Sequence, residues 1–325
     1  MKYRPFDNVK VSEVGLGCWQ LGAEWGPVSE QDAEAIVRAS LDAGVTFFDT
    51  ADVYGLGRSE TILGRVLASR SRKPFVATKL GRFPQPGWPA NFTLATMREH
   101  TEASLRRLGV DVLDLAQLHC VPTEVMREGA VFDHLRTLRD EGKIRRFGAS
   151  VESMDEALLC LKQDGLASLQ IIFNIFRQKP ATALFEQARR RKVALIVRLP
   201  LASGLLAGKF KRDTTFAADD HRTFNRDGQA FNVGETFAGL PFEKGVELAE
   251  TIRPLTPAGM TMAQMAMRWI LDHPEVTVVI PGATRVEQAK GNAICSDLPP
   301  LPADLHRQLR QIHDRQVASH IRGPY

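Results

Sequence analysis

Eight short runs rich in β-branched and aliphatic residues recur along the chain. They are VGLGCW (14–19), VTFFD (45–49), FVATK (75–79), DVLDLAQLH (111–119), IRRFGAS (144–150), LQIIF (169–173), VALIVRL (193–199) and VTVVI (276–280). Stretches that scan as amphipathic helices separate most of them. A strand covered on both faces reads apolar throughout, whereas a half-solvated strand alternates. Strand and helix alternating eight times therefore predict a (β/α)8 TIM barrel of the α/β class. An open, doubly wound sheet is the rival, and its signature is missing. VGLGCWQLG holds glycines, but GLGCWQ lacks the GxGxxG spacing and no helix begins directly after it.

The helical stretches carry their own punctuation. Ser29 can cap EQDAEAIVRASLDAG, with Asp32 three positions on where a capping box wants an acid. Ala33, Ile36, Val37 and Ser40 then share one face, and Gly44 supplies a stop. Thr93 begins a second helix that runs through Thr96, Leu105 and Leu108 to Gly109, and a third spans Ala130 to Gly142.

Two segments break the rhythm. Residues 2–13 read as a short β-hairpin turning at DNV, and residues 209–241 form a long polar loop after the seventh strand. A loop of that length without periodicity is a lid, a binding loop or a mobile segment. Asp219, Asp220 and His221 lie within it, but sequence neighbours seldom converge on one ion. A salt-bridged loop anchor is therefore expected there, and no metal. Residues 302–325 read as a final helix and tail, whose ASHIRGPY end either reaches the pocket rim or hangs free. Residues 1–325 are read as a single barrel domain.

Charge and cysteine usage narrow the class of protein. Forty-two Lys and Arg against thirty-eight Asp and Glu leave +4 over 325 residues, too even a balance for a nucleic-acid surface. Cys18, Cys120, Cys160 and Cys295 are scattered with no CxxC pair, which argues for reduced thiols in a cytoplasmic protein rather than a zinc centre or a disulfide scaffold. MKYRPFDNVK has no apolar signal region and no run reaches membrane-spanning length, so neither export nor anchoring is expected. Nothing in the sequence fixes an oligomeric state.

Functional groups of such a barrel gather where the strands end. The residues there are Asp49 with Tyr54 in the loop that follows, Lys79, His119, Ser150, Gln170 and Arg198. Each has an ordinary reading: a helix cap for Asp49, a solvent-facing lysine, a satisfied core histidine. Together they have a chemistry. An ammonium favours the phenolate form of a nearby tyrosine, an aspartate holds the lysine charged and oriented, and a histidine beside the phenol can hydrogen-bond a substrate oxygen. Such a group of residues can protonate an oxygen as negative charge develops on it, which is what carbonyl reduction requires.

FDTADVYG (48–55), TK (78–79), LDLAQLH (113–119) and IPGATRVEQAKGN (280–292) together resemble the aldo-keto reductase superfamily, and the likeness runs from the first strand to about Leu298. GRSE at 57–60, leading into a helix, fits as well. The resemblance implies a (β/α)8 barrel with a tetrad of Asp49, Tyr54, Lys79 and His119. Tyr54 would be the general acid, Asp49 and Lys79 would tune it, and His119 would orient the carbonyl.

It further implies a nicotinamide cofactor lying across the barrel mouth, with Ser150 and Gln170 at the carboxamide. Two positions depart from the commonest pattern. Val151 stands where an asparagine often helps, and Arg198 stands where an aromatic often stacks on the nicotinamide. Arg198 is either a cofactor contact or an ion-pair member behind it, and a planar guanidinium can stack. PLASGLLAGKF (200–210) resembles the pyrophosphate loop, with Leu201, Ser203, Leu205 and Lys209 as contacts. Gly282, Thr284, Arg285, Gln288 and Asn292 match the adenosine end. Arg285 can meet a 2′-phosphate, so NADP is the cofactor expected and NAD the alternative.

Trp19, Trp25, Phe83 and Trp88 are expected to line the substrate pocket, although Trp88 also reads as a loop anchor. The function implied is hydride transfer between NAD(P)(H) and a small aldehyde, ketone or sugar and its alcohol. Two other readings compete. A cofactor-binding regulatory or auxiliary subunit would need no intact tetrad, yet all four residues are present. A hydrolase would want paired carboxylates, but Asp49 and Asp52 come from one loop and an ion pair with Lys79 accounts for one of them.

Overall fold

A computed structural model of the chain describes residues 1–22, 28–71 and 73–325. Strands β1 (Tyr3–Phe6) and β2 (Val9–Ser12) form an antiparallel hairpin with Asp7 and Asn8 at the turn. Eight parallel strands follow: β3 (Leu16–Gly17), β4 (Phe47–Asp49), β5 (Phe75–Leu80), β6 (Leu115–His119), β7 (Phe147–Ser150), β8 (Leu166–Ile172), β9 (Ala194–Arg198) and β10 (Val276–Val279). Each falls within or across one of the eight apolar runs.

Neighbouring strands pair in sequence order from β3 to β10. The sheet closes through parallel bridges Val14–Val279 and Gly17–Gly282, with Gly15 donating to the Val279 carbonyl at 2.8 Å and Gly17 to that of Pro281 at 3.0 Å. Closure needs glycine on the first strand. A Cβ at Gly15 would sit 2.9 Å from the Phe47 carbonyl oxygen, and one at Gly17 would sit 2.8 Å from that of Ile280.

The helices begin where their caps are. The Ser29 side chain accepts from the Asp32 amide at the head of the Glu30–Asp42 helix. Thr93 caps the Leu94–Leu108 helix, which stops at Gly109 in the left-handed conformation. Isolated helices of this length are marginal in water, so burial of their apolar faces against the barrel stabilises them. Ala33, Ile36 and Val37, for example, are fully buried.

The hairpin plugs the end of the barrel at which the strands start. Phe6 and Val11 are fully buried among Phe47, Ala77, Leu115, Ile196 and Val278, with the Phe6 ring centroid 4.8 Å from that of Phe75. Burying Phe6 alone stabilises the plug by about 2 kcal/mol.

Over the opposite mouth lies the 209–241 segment, which is ordered by its own contacts rather than open. It includes a helical turn at His221–Phe224 and 3-10 turns at Val233–Glu235 and Phe237–Gly239. Asp220 caps the first of these and takes the Arg222 guanidinium on both carboxylate oxygens, at 2.9 Å and 2.5 Å. That is the salt-bridged anchor expected of DDHR. The chain ends in the Ala303–Ile312 helix and a tail that lies on this segment. Among the described residues no helix is long and apolar enough to cross a membrane.

Candidate active site

Asp49, the last residue of β4, is 2% exposed. Its Oδ1 accepts from Lys79 Nζ at 2.5 Å, and its Oδ2 accepts from Gln170 Nε2 at 2.7 Å and Gln117 Nε2 at 3.2 Å. Lys79 Nζ also donates to the Thr50 carbonyl at 2.9 Å and to the Tyr54 phenol oxygen at 3.2 Å. The Tyr54 ring meets the His119 ring edge-on with centroids 5.6 Å apart, and Trp19 stacks on its other side at 5.9 Å. The four residues named from the strand ends thus converge in one cluster, buried except for the half-exposed Tyr54.

Electrostatics assign protonation states. Burial drives the Lys79 ammonium downward, but Asp49 and Tyr54 outweigh it and leave its pKa raised. Lys79 is therefore a fixed cation. Burial pushes the Tyr54 phenol up to about 12, and the opposing pull of Lys79 does not cancel it. The expectation that the lysine sets the phenol's acidity is thus only half the balance, because the phenol has lost its water. His119 is held well below its ordinary value by burial and by Arg82, Lys79 and Arg198. A neutral imidazole, a protonated phenol and a charged lysine face the mouth at neutral pH.

Two connected lobes open above them. Tyr54, His119, Trp19, Cys120 and Glu235 line both. The first is a cavity of about 390 Å³ running past Ser150, Gln170, Arg198, Leu201, Ser203 and Lys209 to Gly282, Thr284, Arg285 and Gln288. Leu205 and Asn292 are absent from this wall. Leu205 is 1% exposed and packs inward, where a Cβ on Gly245 would lie 2.5 Å from it. Asn292 holds the loop from behind, its Nδ2 donating to the Gly282 carbonyl at 3.2 Å. Gln288 is a brace as well as a wall, its Oε1 accepting from the Thr284 amide at 2.8 Å.

Arg198 is the ion-pair member of its two readings, placed at the groove wall. It lines the groove, and it pairs with Glu235 at 3.3 Å while donating to the Val151 carbonyl at 3.2 Å. The second lobe, about 730 Å³, is walled by Trp19, Phe83, Trp88 and Phe231 and edged by Arg82, Glu152 and Asn232. Trp88 is 51% exposed and is tied to the Gly81 carbonyl through its indole N–H, so it anchors its loop and lines the lobe together. Trp25 lies outside the described residues.

Sequence reasoning missed several residues. Gln117 is two positions before His119 on the same strand, and its period-two placement on the barrel interior is the signal that could have found it. Gln20 packs directly on Gly282 in the groove. Arg82 pairs with Glu152 at 2.9 Å and with Glu235 at 3.3 Å, a charged rim that only the fold assembles. Cys120, Glu152 and Glu235 stand close enough together to suggest metal ligands, but Arg82 and Arg198 supply the counter-charge for these carboxylates.

An eight-stranded parallel barrel with an Asp–Lys–Tyr–His cluster at its open mouth defines an oxidoreductase class, and the chain belongs to the Aldo/keto reductase family, whose sequence pattern matches residues 13–314. It is 30% identical over 291 residues to aldo-keto reductase YhdN of Bacillus subtilis, covering 86% of this chain and 84% of that protein. It is 27% identical over 297 residues to aldo-keto reductase yakc [NADP(+)] of Schizosaccharomyces pombe, with coverages of 89% and 85%. The solved structure of the glycerol dehydrogenase AKR11B4 from Gluconobacter oxydans superposes with a TM-score of 0.76 at 29% identity, covering 99% of this chain and 96% of that one.

Proposed function

We propose that the protein is an NADP(H)-dependent reductase of a small carbonyl compound (aldehyde, ketone or sugar), with Tyr54 as the general acid. The observation that carries the reading is the contact chain from Asp49 through Lys79 to the Tyr54 phenol, 2.5 Å and then 3.2 Å, ending where the two lobes meet. The nicotinamide, when bound, supplies hydride. The residues do the rest. Tyr54 gives its proton to the substrate oxygen as charge builds there, and the Lys79 ammonium stabilises the phenolate left behind. Asp49, braced by two glutamines, keeps that ammonium charged and aimed. Neutral His119 hydrogen-bonds the same oxygen, and Trp19 shields the reacting centre from water.

The groove fits a dinucleotide on its own chemistry. Gly204, at φ +100°, brings the backbone after β9 to the groove wall in a turn that only glycine fits, since a Cβ there would sit 2.7 Å from the Phe210 ring. The Val286–Ile294 helix starts at Arg285 without a side-chain cap, which leaves its first amides and the Arg285 guanidinium to a 2′-phosphate. Exposed Lys209 adds positive charge along the strip. The similarity to the S. pombe enzyme, whose name carries NADP(+), supports the same choice. The similarity to a glycerol dehydrogenase favours a second reading of direction, oxidation of a small polyol, in which Tyr54 takes the proton instead.

Paired titrations with NADPH and NADH, followed by quenching of tryptophan fluorescence, test the cofactor. NADPH consumption with a panel of aldehydes, and NADP+ reduction with small polyols, test the reaction. Nucleotide binding without turnover of any substrate would favour the cofactor-binding auxiliary subunit, and binding of neither nucleotide would overturn both readings.

A further inference from the structure

Arg177, in the loop after β8, is 2% exposed, and among the described residues it forms no ion pair within 4.0 Å. A buried guanidinium without a carboxylate is expensive, and here burial pushes it down to about 10. Its N–H groups go to backbone carbonyls of three separate segments. It donates to Glu152 at 3.4 Å beside β7, to Ala238 at 3.5 Å in the long loop, and to Pro324 in the tail. The face of the guanidinium lies 4.6 Å from the Tyr325 ring centroid.

The backbone is built to let these segments meet. A Cβ on Gly234 would sit 2.3 Å from Arg177 Nη1, and one on Gly323, at φ +77°, would sit 2.7 Å from Val233 Cγ1. The tail has further ties: the Arg322 amide donates to the Gly239 carbonyl at 3.1 Å, and the Tyr325 hydroxyl accepts from the Lys179 amide at 2.9 Å. Pro324, Glu152 and Asn232, the last from the long loop, all line the second lobe. An aliphatic side chain in place of Arg177 would fill the space but take the donor from the buried Ala238 carbonyl and from the Glu152 and Pro324 carbonyls at the lobe's edge.

We propose that Arg177 is a positioning residue that locks the last five residues, 321–325, onto the 209–241 loop, so that the end of the chain forms one wall of the substrate lobe. The proposal rests on the reductase reading for what occupies that lobe. Arg177 reaches neither the tetrad nor the first groove, so its loss acts on substrate affinity before it acts on chemistry or cofactor.

The test compares the full chain with Arg177→Met, Arg177→Lys, a chain ending at His320, and Arg177→Met in that shortened chain. For each, KM and kcat are measured with glyceraldehyde and NADPH, NADPH affinity by fluorescence, and the rate of tryptic cleavage at Arg212, Arg222 and Arg226. Arg177→Met and the truncation should each raise KM roughly tenfold, with kcat falling less than threefold and NADPH affinity within twofold. Cleavage of the loop should quicken in both, Arg177→Lys should recover part of the loss, and the combined variant should be no worse than either alone. Unchanged KM in the shortened chain, or additive effects in the combined one, would overturn the proposal. If Arg177→Met fails to fold, the truncation and Arg177→Lys decide. A full chain that turns over no substrate defeats the reductase reading, and unchanged tryptic rates in the variants then defeat the strap separately.

Discussion

The ammonium of Lys79 lies 3.2 Å from the phenol oxygen of Tyr54 while gripping Asp49 at 2.5 Å, with Asp49 and Lys79 buried and Tyr54 half-buried at the mouth. The phenol is thus a weak acid at rest beside a permanent cation, ready to lose its proton only when a substrate oxygen becomes basic enough to take it. Tyr54→Phe removes the proton and little else. Turnover should fall by about 10²–10⁴-fold, the usual worth of a positioned general acid. NADPH affinity, read by fluorescence, should stay within a factor of about three because the groove does not depend on the hydroxyl. Wild-type turnover in this variant would rule out the assignment.

Asp49 and Lys79 are a buried ion pair, 3% and 1% exposed at their side chains. Removing one partner strands the other charge. Asp49→Asn should therefore destabilise the fold by about 3–5 kcal/mol, whereas removing both charges with Lys79→Met in the same chain should cost less than the sum of the two single changes. Urea unfolding of the four proteins closes the cycle. Strict additivity would show that the pair is not coupled.

The strand pattern was legible because a parallel sheet covered on both faces leaves continuous apolar runs, and all eight strands fell on them. Caps such as Ser29 and Thr93 were legible because their chemistry is local. The tetrad was legible because strand ends converge by topology. Arg82, Glu152, Glu235 and Arg177 were not, since their roles depend on which loops fold over which, and no local pattern encodes that. Leu205 and Asn292 follow the same logic in reverse. Each sits one layer behind the groove, Leu205 buried against Gly245 and Asn292 bonded to the back of the Gly282 carbonyl.

Arg285 stands at the start of an uncapped helix on the groove and, among the described residues, forms no ion pair. A 2′-phosphate would gain a charge-assisted contact there that a 2′-hydroxyl would not. Arg285→Ala should weaken NADPH binding by about ten- to a hundredfold, from the roughly 1.5–3 kcal/mol of a charged hydrogen bond, and leave NADH nearly unaffected. Parallel fluorescence titrations measure both. Equal losses for the two nucleotides would place the arginine elsewhere on the cofactor.

Asp52 is fully buried, and neither of its carboxylate oxygens has a hydrogen-bond partner among the described residues. Burial first, and Glu60 next, push it up to about 8 from an ordinary 3.8. An acid whose folded value lies above its unfolded value holds an extra proton in the native state between the two. Stability from this residue is therefore highest below pH 4, falls as pH rises towards 8, and stays low above that. Asp52→Asn keeps the shape of the protonated acid and removes the titration. Its melting temperature relative to wild type should thus climb steadily between pH 5 and pH 8, the direction opposite to that of a salt-bridged carboxylate. Thermal melts at four or five pH values across that window measure it. A difference that is flat with pH would mean that the carboxyl is already ionised in the folded chain across this window, as a salt-bridged one would be.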